Sequence, residues 1–173
     1  AVGSPPAGGF LLGLLGIDPQ SSTVYAAGAS PPSFGTLFQS TDGGTNWTSS
    51  GSSGNGVSAF AIDPQIPRTL YVAYGWRVMK SIDRGENWND LPVPLDSIGG
   101  CDECEPVSVL TIDPRDSSTV YACGSIGVLK SVDRGATWNA MNSGLPWAPS
   151  QVSGISSFVI DPDNSNNVYV AIA

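Results

Sequence analysis

Histidine is missing altogether from this 173-residue chain, which removes Ser–His and Cys–His nucleophile pairs and every His-ligated metal centre. Any acid–base chemistry would fall to carboxylates, tyrosine or lysine. Basic residues are few: seven Lys and Arg face fifteen Asp and Glu, a net charge of −8. A surface of that sign repels phosphate backbones, which argues against a nucleic-acid partner, and it disfavours anionic membrane surfaces. Long apolar runs are missing as well. The longest, Phe10 to Ile17, falls far short of the roughly 20 residues that cross a bilayer, so no membrane insertion is expected. Cysteine occurs only at Cys101, Cys104 and Cys123, and charged residues make up 13% of the chain, about half the usual share. The chain begins at Ala1 rather than Met and is read as processed or trimmed. Its Ser-, Gly-, Thr- and Asn-rich, Lys-poor composition suggests a secreted, periplasmic or cell-surface location.

Turn formers, by contrast, are plentiful. Gly (21) and Pro (14) supply about a fifth of the residues, while an apolar share of 40% still permits a core. That combination points to short β-strands in one domain. Ile-Asp-Pro occurs four times, at Ile17-Asp18-Pro19, Ile62-Asp63-Pro64, Ile112-Asp113-Pro114 and Ile160-Asp161-Pro162, at intervals of 45, 50 and 48 residues. A β-branched and aromatic run follows each copy: Thr23–Ala26, Thr69–Val72, Thr119–Ala122 and Asn167–Val170. After three of them comes Ser-x-Asp-x-Gly-x-x-Trp, carried by Ser40, Asp42, Gly44 and Trp47, by Ser81, Asp83, Gly85 and Trp88, and by Ser131, Asp133, Gly135 and Trp138.

Each repeat reads as four strands. Pro, which cannot donate to a ladder, closes the first; the Val-Tyr run is the second; the third enters the Ser-x-Asp turn; the fourth begins near the Trp. In that turn Ser and Asp side chains bond backbone N–H groups, the Gly suits a positive φ, and the Trp pins the hairpin to the sheet. A four-stranded antiparallel unit recurring every 41–50 residues predicts an all-β chain of propeller blades. The repeats run at about 10–55, 56–106 and 107–151, with a half repeat at 152–173 and a Pro/Gly-rich segment at 1–9. The count is about three and a half blades with open edges. Three explanations stay open: a fragment of a longer propeller, a ring completed by a second chain, or an open arc.

The motif resembles the Asp-box, or bacterial neuraminidase repeat, found in sialidases, xyloglucan-cleaving hydrolases, sortilin-type receptors and photosystem-assembly propellers. The resemblance spans about Phe10 to Ala173 and implies the propeller fold, with hairpins lying away from any active site. A sialidase-like site would imply an Arg cluster, a Tyr nucleophile and acidic partners. Here Arg84 and Arg134 sit inside the motifs at matching positions, and the Phe-Arg-Ile-Pro-type opening motif of sialidases is missing. A xyloglucanase would need two opposed carboxylates drawn from two propeller domains.

Function is therefore sought in what does not repeat. The repeated aspartates read as structural, because catalysis needs one asymmetric site. The insert between Trp88 and Ile112 carries Asp102, Glu103 and Glu105 beside Cys101 and Cys104, and reads as a polar-ligand loop or a solvated acidic one. Zinc would need more ligands than the cysteines supply, and a redox pair would need a helix N-terminus, so a Cys101–Cys104 disulfide pinning the insert is the favoured reading. Cys123 falls on a strand as a buried thiol. Trp76 and Trp147 lie outside the motif and are the candidates for stacking on sugar rings. Asn46-Trp47-Thr48 matches a glycosylation acceptor but falls inside a motif. No metal and no cofactor are expected. The leading expectation is a non-catalytic, exported scaffold that binds a carbohydrate or a protein partner through loops on one face. The alternatives are a piece of a glycoside hydrolase and a subunit that docks a larger assembly through open blade edges.

Overall fold

The computed structural model describes residues 11–30, 33–50, 56–74, 77–94, 107–145 and 154–172. Among these residues there are fourteen strands and no helix, so none that is long and apolar enough to cross a membrane. The first sheet holds β1 (Leu11–Ile17), β2 (Val24–Ser30), β3 (Ser33–Ser40) and β4 (Thr48–Ser49). The second holds β5 (Val57–Ile62), β6 (Leu70–Tyr74), β7 (Arg77–Ser81) and β8 (Asn89–Asp90). The third holds β9 (Val109–Asp113), β10 (Asp116–Gly124), β11 (Gly127–Ser131) and β12 (Asn139–Ala140), and the fourth holds β13 (Ile155–Ile160) and β14 (Val168–Ile172). Within each sheet consecutive strands are antiparallel neighbours in chain order. These are the blades of a partial β-propeller.

Strand ends follow from the residues. β1, β5 and β13 stop at the isoleucine before Asp-Pro, where the ladder loses its donor. β9 runs one residue further, to Asp113, because Asp113 pairs with Asp116 across a bulge. Each aspartate then accepts backbone N–H bonds from the turn it opens: Gln20 to Asp18 Oδ1 at 2.8 Å, Gln65 and Ile66 to Asp63 Oδ1 at 2.9 and 3.0 Å, Arg115 to Asp113 Oδ1 at 2.8 Å, and Asp163 to Asp161 Oδ1 at 2.9 Å.

The core lies between sheets. First strands succeed one another, β1 against β5, β5 against β9 and β9 against β13. Tyr25, Ala27 and Leu37 pack with Leu70, Val72 and Tyr74 in the first seam. Tyr71, Ala73 and Val78 pack with Val120, Ala122 and Leu129 in the second, and Tyr121, Cys123 and Val128 with Phe158 and Ile160 in the third. Hydroxyls stitch the same seams. Ser117 Oγ donates to the buried Asp63 Oδ1 at 2.5 Å and Ser165 Oγ to the buried Asp113 Oδ1 at 2.8 Å. Ser58 Oγ reaches the carbonyl of Val107 at 2.7 Å and Ser108 Oγ that of Ile155 at 2.8 Å. At the first seam the equivalent of Ser117 is the buried Pro67. There the neighbouring sheet reaches Asp18 through Arg84 Nε, 3.5 Å from Oδ2.

Adjacent positions in the hairpin turns differ in what glycine does. Gly43 has φ 72°, and Arg84 and Arg134 hold the same place at φ 61° and 60°. The next residue, Gly85, has φ 89°, and a Cβ there would lie 2.0 Å from Ser50 Oγ in the neighbouring sheet. At Gly135 a Cβ would lie 2.7 Å from Leu91 Cδ1. Gly85→Ala is therefore expected to cost about 2–4 kcal/mol in urea unfolding, since backbone strain and overpacking add. Gly43→Ala, with nothing within 4 Å of its Cβ, is expected to cost only about 1 kcal/mol. Equal costs would show that the seam does not press on the turn.

Candidate functional site

The three Ser-x-Asp-x-Gly-x-x-Trp turns close on themselves in one pattern. The buried Ser hydroxyl donates to Asp Oδ1 at 2.8, 2.7 and 2.8 Å for Ser40, Ser81 and Ser131. It accepts the N–H of Gly44, Gly85 and Gly135, each at 2.8 Å. The glycine carbonyl accepts the indole N–H of Trp47, Trp88 and Trp138 at 2.9, 3.1 and 3.0 Å. These tryptophans are half-buried rather than buried; the ring bonds the turn beneath it while part of its surface stays exposed. A further partner is not in the motif as read from sequence. The residue before the Trp donates from both backbone and side chain to the same carboxylate. For Asn46 these bonds are 2.8 and 2.7 Å, for Asn87 2.9 and 2.8 Å, and for Thr137 2.8 and 2.6 Å. The recurrence of Asn, Asn and Thr at that place was the available signal. Asn46 thus uses its side-chain amide inside the turn.

This donor set explains the electrostatics. The Asn46 backbone N–H, then its side-chain amide, then the Ser40 hydroxyl hold the Asp42 carboxyl down at about 2. Asn87 and Ser81 do the same for Asp83, also at about 2, and for Asp133 the Thr137 hydroxyl leads, with the same result. Burial opposes ionisation of Asp18, yet the Ser21 hydroxyl, the Gln20 and Ser21 amides and Arg84 together keep its carboxyl below the usual value. All of these carboxylates are engaged in holding turns. Among the described residues no group of three or more Cys, Asp or Glu is placed to hold a metal ion. Burial pushes the Cys123 thiol up to about 12.

Topology separates these turns from the variable segments. In an antiparallel four-strand blade entered at one end, the Asp-Pro turn and the Ser-x-Asp hairpin share the far end. The connection between second and third strands and the exit toward the next blade share the near end. Trp76 belongs to the β6–β7 connection, Asp102, Glu103, Glu105, Cys101 and Cys104 to the segment after β8, and Trp147 to the segment after β12. All seven lie outside the described residues. Their flanks are described, and all belong to the near end. Arg77 pairs with Asp90 there and lies over the Tyr74 ring at 5.9 Å. Val107 is fully buried in the second seam, and Leu145 packs against the third.

No protein-family model matches the chain, and no curated protein matches it. Solved structures do. The chain superposes on an ancestral GH74 enzyme with a TM-score of 0.71 and 16% identity, covering 93% of this chain and 22% of that one. On a GH74 enzyme from Niastella koreensis the TM-score is 0.66 at 21% identity, covering 94% and 26%. On YCF48 bound to a D1 peptide it is 0.51 at 13%, covering 67% and 36%. At these identities the superpositions show a shared β-propeller fold. The chain spans about a quarter of the length of the two GH74 structures.

Two measurements follow from the turn chemistry. The Asp133 carboxyl titrates at about 2 when folded and at its ordinary 3.8 when unfolded. Its contribution is therefore complete above about pH 4 and is lost as pH falls toward 2. Asp133→Asn is expected to lower the urea midpoint at pH 7, with the gap from the unaltered chain closing between pH 4 and pH 2. A constant gap would show that charge plays no part. Cys123 is expected to resist alkylation at pH 8 in the folded chain and to react fully in urea, as read by peptide mass spectrometry.

Proposed function

We propose that the chain is part of an exported Asp-box propeller whose blades form a non-catalytic scaffold, and whose loops at one end bind a carbohydrate or protein partner. The observation that carries this reading is positional. Every non-repeated segment with chemistry of its own starts and finishes at the end of the blades opposite the hairpins. At the hairpin end Asp42, Asp83 and Asp133 are engaged in turns. Tryptophan side chains suit stacking on sugar rings, and an acidic insert suits gripping a polypeptide. The YCF48 structure among the neighbours holds a D1 peptide, which supports a polypeptide partner.

A second reading, a section of a glycoside hydrolase, is favoured by the superposition on GH74 enzymes over more than nine-tenths of this chain. It requires an opposed pair of carboxylates completed by further polypeptide.

The scaffold reading is tested by glycan-array and peptide-array binding of the chain. Trp76→Ala or Trp147→Ala is expected to weaken the strongest hit about tenfold or more with the urea midpoint unchanged. Unchanged binding in both variants would remove these residues from the site. Hydrolysis of xyloglucan oligosaccharides or aryl sialosides by a protein containing this chain, abolished by Asp102→Asn, Glu103→Gln or Glu105→Gln, would establish the second reading instead.

A further inference from the structure

We propose that the outer side of the fourth sheet is a docking socket for a β-hairpin carrying Ser-x-Asp-x-Gly-x-x-Trp, supplied by polypeptide outside these 173 residues. The second seam shows the socket filled. There the hairpin turn of the third sheet lies on the second sheet: Tyr71 Oη and Lys80 Nζ both donate to the Arg134 carbonyl, at 3.2 and 3.1 Å, and Gly135 rests against Leu91. Leu129 and Trp138 complete the packing.

At the third seam no hairpin among the described residues covers the same receiving groups. Lys130 Nζ lies 5.4 Å over the Tyr121 ring, just as Lys80 Nζ lies 5.4 Å over Tyr71. Met141 stands at the place of Leu91 and is 51% exposed. Val168, the counterpart of the fully buried Val120, is 40% exposed. These groups border a recess of about 370 Å³, lined also by Val128, Phe158 and Val170. Among the described residues no strand pairs with the outer edge of β14.

Register specifies the occupant. In the filled sheets the motif Ser lies opposite the Val or Leu that opens the second strand, in the pairs Val24–Ser40, Leu70–Ser81 and Val120–Ser131. Two residues earlier an apolar side chain faces the same strand: Phe38 opposite Ala26, Met79 opposite Val72 and Leu129 opposite Ala122. The docked strand therefore places its Ser opposite Val168 and a Phe, Met or Leu opposite Val170, with its Gly over Met141. A backbone carbonyl in its turn accepts from Tyr121 and Lys130. A second copy is a poor source, because each of its three hairpins already belongs to its own sheet. The inference rests on the reading of the chain as part of a propeller, while binding by the loops is read separately through Trp76→Ala and Trp147→Ala, so the two fail on different measurements.

The test uses the 173-residue chain and a synthetic peptide of the sequence Gly127–Ala140, both free and joined to Ala173 by a flexible linker. Hydrogen exchange at the Val168–Ile172 amides is expected to slow at least tenfold in one or both arms. The tethered arm offsets the weak affinity of a hairpin that is marginal alone. The peptide carrying Gly135→Val is expected to protect nothing. Lys130→Met in the chain is expected to weaken the free peptide about tenfold, or to reduce the tethered protection by as much. Three results would overturn the proposal: no protection in either arm, equal protection by the Gly135→Val peptide, or a dimer through β14 that the peptide does not displace.

Discussion

A sheet with apolar residues on both faces cannot rest in water on its own, and every blade of this chain is such a sheet. Tyr25, Tyr71 and Tyr121 point to one side of their strands while Val72, Val120 and Ala122 point to the other. Both sides are covered only when another blade stands on each. The seams must therefore satisfy polar groups as well as exclude water. A buried carboxylate such as Asp63 or Asp113 is tolerable because its own turn and a serine from the next blade both donate to it. Apolar area drives the stacking, and these hydroxyls fix how the blades are set against one another.

The same constraint divides the molecule into two ends with different chemistry. At the hairpin end, side-chain oxygens are enclosed in short networks that close within eight residues of chain, from Ser40 to Trp47 and in its two equivalents. Such closed networks have little capacity left for a ligand. At the opposite end the blade-to-blade connections differ in length and composition from one repeat to the next. Variation concentrated at one rim of a repeated framework is where a binding preference can be set without disturbing the seams.

Much of this was legible in the sequence, for a physical reason. Each blade solves the same local problems, so Ile-Asp-Pro, the Val-Tyr run and the Ser-x-Asp turn recur and announce the four-strand unit. What escaped was of two kinds. Asn46 and Asn87 donate an amide where Thr137 donates a hydroxyl, and that change of residue type masks their shared role as donors to the turn aspartate. Ser117 and Ser165 act across a seam, and a contact between repeats leaves no pattern inside one repeat. The positive φ of Arg84 and Arg134 was equally hidden, since nothing in arginine favours it. The binding residues named from sequence rest on residue type and on loop placement alone, because one copy of a loop carries no internal comparison.

Pro67 stands where the later blades carry serine, and it has no hydroxyl to offer Asp18. The neighbouring sheet reaches that carboxylate instead through Arg84, whose side chain is 46% exposed and lies 3.5 Å away, while Ser50 Oγ donates across the same seam to the Gly85 carbonyl at 2.9 Å. Dissolved ions reach the half-exposed guanidinium of such a pair and leave a buried hydroxyl bond nearly unaffected. The three seams are thus unequal. Rising ionic strength weakens this one tie to Asp18 and spares the hydroxyl ties that Ser117 and Ser165 make to Asp63 and Asp113.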